Sequence, residues 1–170
     1  MDKGELYGKI NDLMKFLYSN KEDRGVMADL RRGLSETTQN RAWPHISQFC
    51  DLCNKRERTI VQLIAAGFAI HGSSSSENAN LGSVMRKIAS GDGRGEDGLK
   101  TFESRFRRLL SASSSEELCD FLPGIIRTAE TKGVSINFYK LYKDLIDWDW
   151  DDNVKINWAA SFWTKDGGVE

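Results

Sequence analysis

Cys50-x-x-Cys53, with His45 and His71 nearby in the sequence, is the first place to look for metal chemistry in this chain of 170 residues. A closed zinc site needs four ligands in paired spacings, and the second pair is missing. The two cysteines read instead as small core-facing residues one helical turn apart, and no strand precedes them as a thioredoxin-type motif would require. Asp147-Trp148-Asp149-Trp150-Asp151 imitates the first three ligand positions of a calcium loop, but Asp152 stands where glycine is needed and Trp158 where a bidentate glutamate is needed. Gly91 to Gly98 is glycine-rich without the Gly-Lys-Ser/Thr ending of a phosphate loop. With two histidines and no Ser-His-Asp or Cys-His order, nothing points to general-base or nucleophilic catalysis, and no metal or cofactor is expected. His71 reads as a satisfied core histidine on an apolar helix face.

Arginine is the residue type whose placement carries more. The net charge is −1, yet all twelve arginines lie between Arg24 and Arg127, while Asp144 to Glu170 holds seven acidic residues against Lys155 and Lys165. At about 100° per residue, Leu99, Phe102, Phe106, Leu109 and Leu110 gather in one arc, with Arg108 almost opposite and Arg105 and Arg107 beside it. The same projection puts Arg24 and Arg31 on one side of an earlier helix and Arg32 opposite its apolar arc. A planar guanidinium donates two hydrogen bonds to a phosphate and stays charged at any physiological pH. Spacing alone also allows plain surface ion pairs, with Asp29, Glu103 and Glu116 as the acids at hand.

The elements that must position these residues are helical. Leu6, Ile10, Leu13 and Leu17 mark the face of an opening helix, widened by Tyr7, Met14 and Tyr18. Asp23 is placed to cap a second helix that buries Val26, Met27 and Leu30 and stops at Gly33. A short piece over 43–53 precedes a stronger helix from about Asn54 to Gly72, then comes a serine-rich loop over 73–80. Further helices are expected over 81–89, from Leu99 to Ala112, through Leu118 to Ile126 with a kink at Pro123, from Asn137 through Trp148, and from Asp151 or Asp152 to Trp163. The spacing predicts an all-α fold, a compact bundle of about eight to nine helices, as one domain over 1–170 that a mobile loop near 91–98 could divide into two sub-bundles. No segment alternates like a strand. The last helix is apolar on more than one face, so one face packs inside and another meets a partner, with Trp158, Phe162 and Trp163 as candidates. No apolar run approaches a membrane span and the start lacks a signal-peptide pattern, so a cytoplasmic protein with an ordinary core is expected.

Specific words in the sequence add to this. Asp23-Arg24-Gly25-Val26-Met27-Ala28-Asp29-Leu30-Arg31-Arg32-Gly33 resembles the signature of the CasB family, the small subunit of the type I-E CRISPR surveillance complex Cascade. The likeness continues in order through Trp43, Ala65 to His71, Leu81-Gly82, Arg105-Phe106-Arg107-Arg108-Leu109-Leu110 and Ile136-Asn137-Phe138. It then takes in Leu141, Asp144, Leu145, Trp148, Val154, Trp158-Ala159 and Phe162-Trp163. The resemblance implies an all-helical, non-catalytic protein, present as two copies side by side among the other Cascade subunits. It also implies contact with guide RNA, target DNA and the displaced strand through basic residues that do not read sequence, so that the R-loop is held open during antiviral interference. Arg24, Arg31, Arg32, Arg105, Arg107 and Arg108 match the family's basic positions, and Arg127 with the Arg86-Lys87 pair extends the set. Neither the Trp-rich acidic stretch 147–152 nor the loop 91–98 matches a family feature. An adaptor that binds only protein, through the Trp-rich C-terminal region, is the alternative, and a zinc enzyme built on Cys50, Cys53 and a histidine is a third reading.

Overall fold

The computed structural model describes residues 3–164 apart from 92 and 94. Among the described residues there are nine α-helices and no strand: α1 (Lys3–Ser19), α2 (Arg24–Arg31), α3 (Trp43–Ile46), α4 (Lys55–His71), α5 (Leu81–Ser90), α6 (Glu96–Leu110), α7 (Ser115–Thr131), α8 (Phe138–Asp147) and α9 (Asp152–Trp163). Two 3₁₀ turns, Arg32–Leu34 and Gln39–Arg41, connect α2 to α3.

Polar caps set where the helices begin. Asp23, Asn54, Asn80, Ser114, Asn137 and Asp151 each accept a hydrogen bond from a backbone N–H of the first turn that follows. Each such cap satisfies a donor the helix leaves open and is worth ~1 kcal/mol. Gly72 ends α4 with φ at 75°, a left-handed conformation that a side chain disfavours. The helix α7 continues through Pro123, although that residue has no N–H to give the Cys119 carbonyl. The loop expected over 91–98 is shorter than its composition suggests, because α6 is already helical from Glu96; Asp92 and Arg94 lie outside the described residues.

The central element is α4, buried from Ile60 to Ala69, and α2, α7, α8 and α1 pack around it. Side-chain ties give the directions. Arg56 near the start of α4 meets Ser115 at the start of α7, and His71 at the end of α4 donates to the Ile126 carbonyl near the end of α7, so the two run parallel. Gly67 faces the Phe138 ring at the start of α8 while Arg56 reaches the Ile146 carbonyl at its end, so α8 runs antiparallel to α4.

A second group, α5, α6 and α9, sits beside this one through contacts of α5 with α7. Gly82 lies against the Trp158 backbone so closely that a Cβ there would overlap the Trp158 carbonyl oxygen. One turn on, Arg86 donates to the Phe162 carbonyl, so α5 and α9 run parallel with their backbones nearly touching. Phe106 of α6 stacks on Phe162 with ring centroids 4.2 Å apart. The apolar side chains from Leu6 to Phe162 form one continuous buried cluster.

Candidate nucleic-acid interface

Burial of Met27 and Leu30 fixes the roll of α2, which leaves Arg24, Arg31 and Arg32 exposed. Arg31 donates through Nε to the Ala69 carbonyl at 3.0 Å. That carbonyl belongs to the last turn of α4, where helix geometry supplies no partner and the helix dipole favours a cation. The bond anchors the side chain and leaves both terminal nitrogens of the guanidinium for a ligand. The side chains of Arg24 and Arg32 have no hydrogen-bond or ion-pair partner among the described residues.

On α6, burial of Phe106 and Leu109 turns Arg105, Arg107 and Arg108 outward. Each lies over an aromatic ring: Arg105 over Phe102 at 5.3 Å, Arg107 over Trp163 at 5.1 Å and Arg108 over Phe121 at 5.4 Å. Such a contact draws the cation to the ring without spending an N–H donor on a hydrogen bond, so it orients the side chain and leaves donors for a ligand. Arg107 alone is also ion-paired, to Glu103 at 2.9 Å. The Arg107 hydrogen bond, followed by one from the Trp163 indole at 3.1 Å, holds the Glu103 carboxyl below its ordinary range.

The acids at hand for neutralising these arginines are mostly engaged elsewhere. Asp29 accepts from His45 at 3.0 Å and Glu116 faces Lys55 at 3.7 Å, so of the three only Glu103 receives an arginine. Arg127 is exposed on α7 and unpaired among the described residues. Lys87 is exposed and faces Glu77 at 3.3 Å. Arg86 is partly buried and bonded to the Phe162 carbonyl at 2.6 Å, a tie between α5 and α9. The two clusters do not share a helix pair: α2 packs on α4, and α6 packs on α5 and touches α7 through Arg108.

The aromatic candidates for partner contact separate. Trp158 and Phe162 are 0% and 1% exposed, and the Trp158 indole donates to Asp144 at 2.8 Å. Both are core residues, which corrects their assignment to a partner-facing side: the close approach of α5 at Gly82 covers that side of α9. Trp163 remains 41% exposed.

Cys50 is buried, and burial above all pushes its thiol up to about 11; Cys119 is pushed up to about 12 for the same reason. Cys53 is exposed, not core-facing, because the chain from Ser47 to Asn54 is not helical and the one-turn spacing does not apply. Among the described residues no group of three or more His, Cys, Asp or Glu side chains could hold a metal ion. The aspartates of the Trp-rich stretch serve the fold instead. Asp147 accepts from Tyr7, whose hydroxyl is pushed up to about 12 by burial and then by this bond, Asp149 accepts from Ser115 and Arg56, and Asp151 caps α9.

Two arginines behave as spacing gives no reason to expect. Arg56 bridges three elements, donating to Ser115 Oγ at 3.0 Å, Asp149 at 2.7 Å and the Ile146 carbonyl at 2.8 Å while lying over Trp150 at 4.7 Å. Its sequence signal is absent because all its partners are about 60 or more residues away. Arg41, in the second 3₁₀ turn, is exposed and unpaired among the described residues, and helical periodicity cannot select a residue outside a regular helix.

The profile of the family described as CRISPR-associated protein Cse2 matches residues 26–163, most of the chain and nearly all the helices just described. No curated relative and no solved structure matches it. No helix among the described residues is long and apolar enough to cross a membrane.

Proposed function

Because the chain belongs to the Cse2 family, that of the small subunit of the type I-E Cascade complex, we propose that it acts there without catalysis, as a clamp on nucleic-acid backbone. The observation that carries the proposal is the state of the six arginines on α2, its following turn and α6. All are exposed, and five of them, Arg24, Arg31, Arg32, Arg105 and Arg108, have no carboxylate partner among the described residues of a chain that holds 25 acidic residues. The other use for surface arginines is ion pairing with such acids, and these five do not make it.

Exchange of a DNA duplex for a guide–target duplex is nearly balanced in free energy, so contacts to the phosphates of guide RNA, target DNA or displaced strand can decide whether the R-loop stays open. Arginine donors supply such contacts without reading bases. Arg127 and Lys87 extend the surface in this reading, and Arg86 contributes by fixing α5 on α9. The adaptor reading is favoured at a different place: Trp150 and Ile156, 63% and 60% exposed near the α8–α9 corner, are large apolar side chains open to neighbouring subunits or a second copy.

The test is binding of labelled single- and double-stranded DNA by the purified protein at two salt concentrations. The wild type should weaken steeply with salt, and an Arg31→Ala/Arg32→Ala/Arg108→Ala variant should bind more weakly with a salt slope lower by about one for each arginine that met a phosphate. Equal binding and equal slopes would remove the arginine assignment.

A further inference from the structure

Between α2 and α3 the chain makes only two 3₁₀ turns, yet one buried side chain of α4 holds both of them and the start of α3. Gln62 is 9% exposed. Its Nε2 donates to the Gly33 carbonyl at 2.7 Å and to the Gln39 side-chain oxygen at 3.1 Å, and its Oε1 accepts from the Trp43 indole at 3.0 Å. An indole only donates and a backbone carbonyl only accepts, so the amide fits in one orientation, with both of its N–H donors spent. A Cβ on Gly33 would stand 2.9 Å from Gln62 Cγ, so a glycine is what lets this carbonyl come so near.

The second of these turns carries Arg41, two residues after Gln39, and it packs against the first turn, which begins with Arg32. Arg41 is exposed and its side chain has no partner among the described residues. Glu36, between the two arginines in sequence, is exposed and pairs with neither. Arg31 is anchored by the Ala69 carbonyl and the α6 arginines lie over rings, but Arg41 takes its place from its backbone alone. That backbone is tied within the connection, Arg41 N–H to the Thr38 carbonyl and Thr38 Oγ1 to the Arg32 carbonyl, and Gln62 supplies a polar tie to the helical body.

We propose that Arg41 is a further contact to nucleic-acid phosphate, continuing the α2 arginines, and that Gln62 is the positioning residue that holds its turn in place. The inference rests on the nucleic-acid reading above and adds one contact and its support. An arginine on a loose connection must be ordered when the ligand arrives, whereas a turn already pinned has met part of that cost.

Binding of labelled double-stranded DNA by the full chain at two salt concentrations is the test. Arg41→Ala changes an exposed side chain with no partner to lose, so it should weaken binding severalfold and lower the salt slope by about one, with the melting temperature unchanged. Gln62→Leu should weaken binding when Arg41 is present and have no further effect once Arg41 is alanine, measured where circular dichroism shows each variant folded. Affinity and slope equal to wild type in Arg41→Ala overturn the contact and leave the clamp on α2 and α6 in place. Equal losses from Gln62→Leu in both backgrounds overturn the positioning role, because a general loss of structure does not depend on Arg41. Failure of the wild type to bind DNA overturns the clamp and this inference together.

Should Gln62→Leu not fold, Gln39→Ala removes one acceptor of the same amide from a half-buried position. It should weaken binding with Arg41 present and not in the Arg41→Ala background; any other pattern overturns the positioning role.

Discussion

An exposed arginine and a structural arginine have the same letter in the sequence, and what separates them is the count of acceptors within reach. Arg56 has a hydroxyl, a carboxylate and a carbonyl around it; Arg32 has none among the described residues. The carboxylate on Arg56, Asp149, shows the energetic side of this difference. Burial alone would raise the Asp149 carboxyl, but hydrogen bonds from Ser115 and the Arg56 ion pair outweigh it and hold the group below its ordinary range. A carboxylate with a folded-state pKa lower than its unfolded value stabilises the fold above about pH 4 and loses that contribution as pH falls through the folded value. Asp149→Asn should therefore cost ~2 kcal/mol at pH 7 and narrow the gap to wild type in acid. Denaturant melts at pH 7 and pH 3 check this; a gap that does not narrow would remove Asp149 from the acid response.

Between helices, two glycines make opposite predictions from the same substitution. Gly82→Ala drives a Cβ into the Trp158 carbonyl, and a backbone atom cannot rotate away, so the change should cost ~2 kcal/mol or more and lower the melting temperature by several degrees. Gly124, exposed on α7 with open space where its Cβ would go, should gain ~0.5–1 kcal/mol on changing to Ala. Thermal melts of the two variants decide it, and a neutral Gly82→Ala would mean α5 and α9 can slide apart. This is also the level at which the sequence is most legible. Leu6, Ile10, Leu13 and Leu17 are buried as their spacing predicts, and Asp23, Asn54, Asn137 and Asp151 all cap the helices they precede, because capping and periodicity are local. The burial of Trp158 and Phe162 was illegible for the opposite reason. A helix apolar on several sides, like α9, does not say which side another helix will cover, and the cover comes from Gly82, some 76 residues upstream. The outward turn of both arginine clusters followed from periodicity, but the rings beneath Arg107 and Arg108 come from α9 and α7 and carry no local mark.

Across the whole chain, one continuous core links the α4 group to the α5–α6–α9 group, although the packing contacts concentrate within each. A cooperative core predicts one unfolding transition, with calorimetric and van't Hoff enthalpies equal; two resolved transitions would show that the groups are separate units. The net charge of −1 describes no part of this molecule well. Exposed arginines occupy α2, α6 and α7, while aspartates crowd the α8–α9 corner, so a ligand meets local potentials and not the average.

Arg56 gives that cooperativity a chemical form. Its cation is satisfied only when Ser115, Ile146 and Asp149 arrive together, from segments made long after it during synthesis. Until then an ionised group that cannot discharge sits at the start of the central helix, and water must keep it company. The contacts around Arg56 can therefore close only after residue 149 has been made, so this end of α4 stays incomplete until the last third of the chain has emerged.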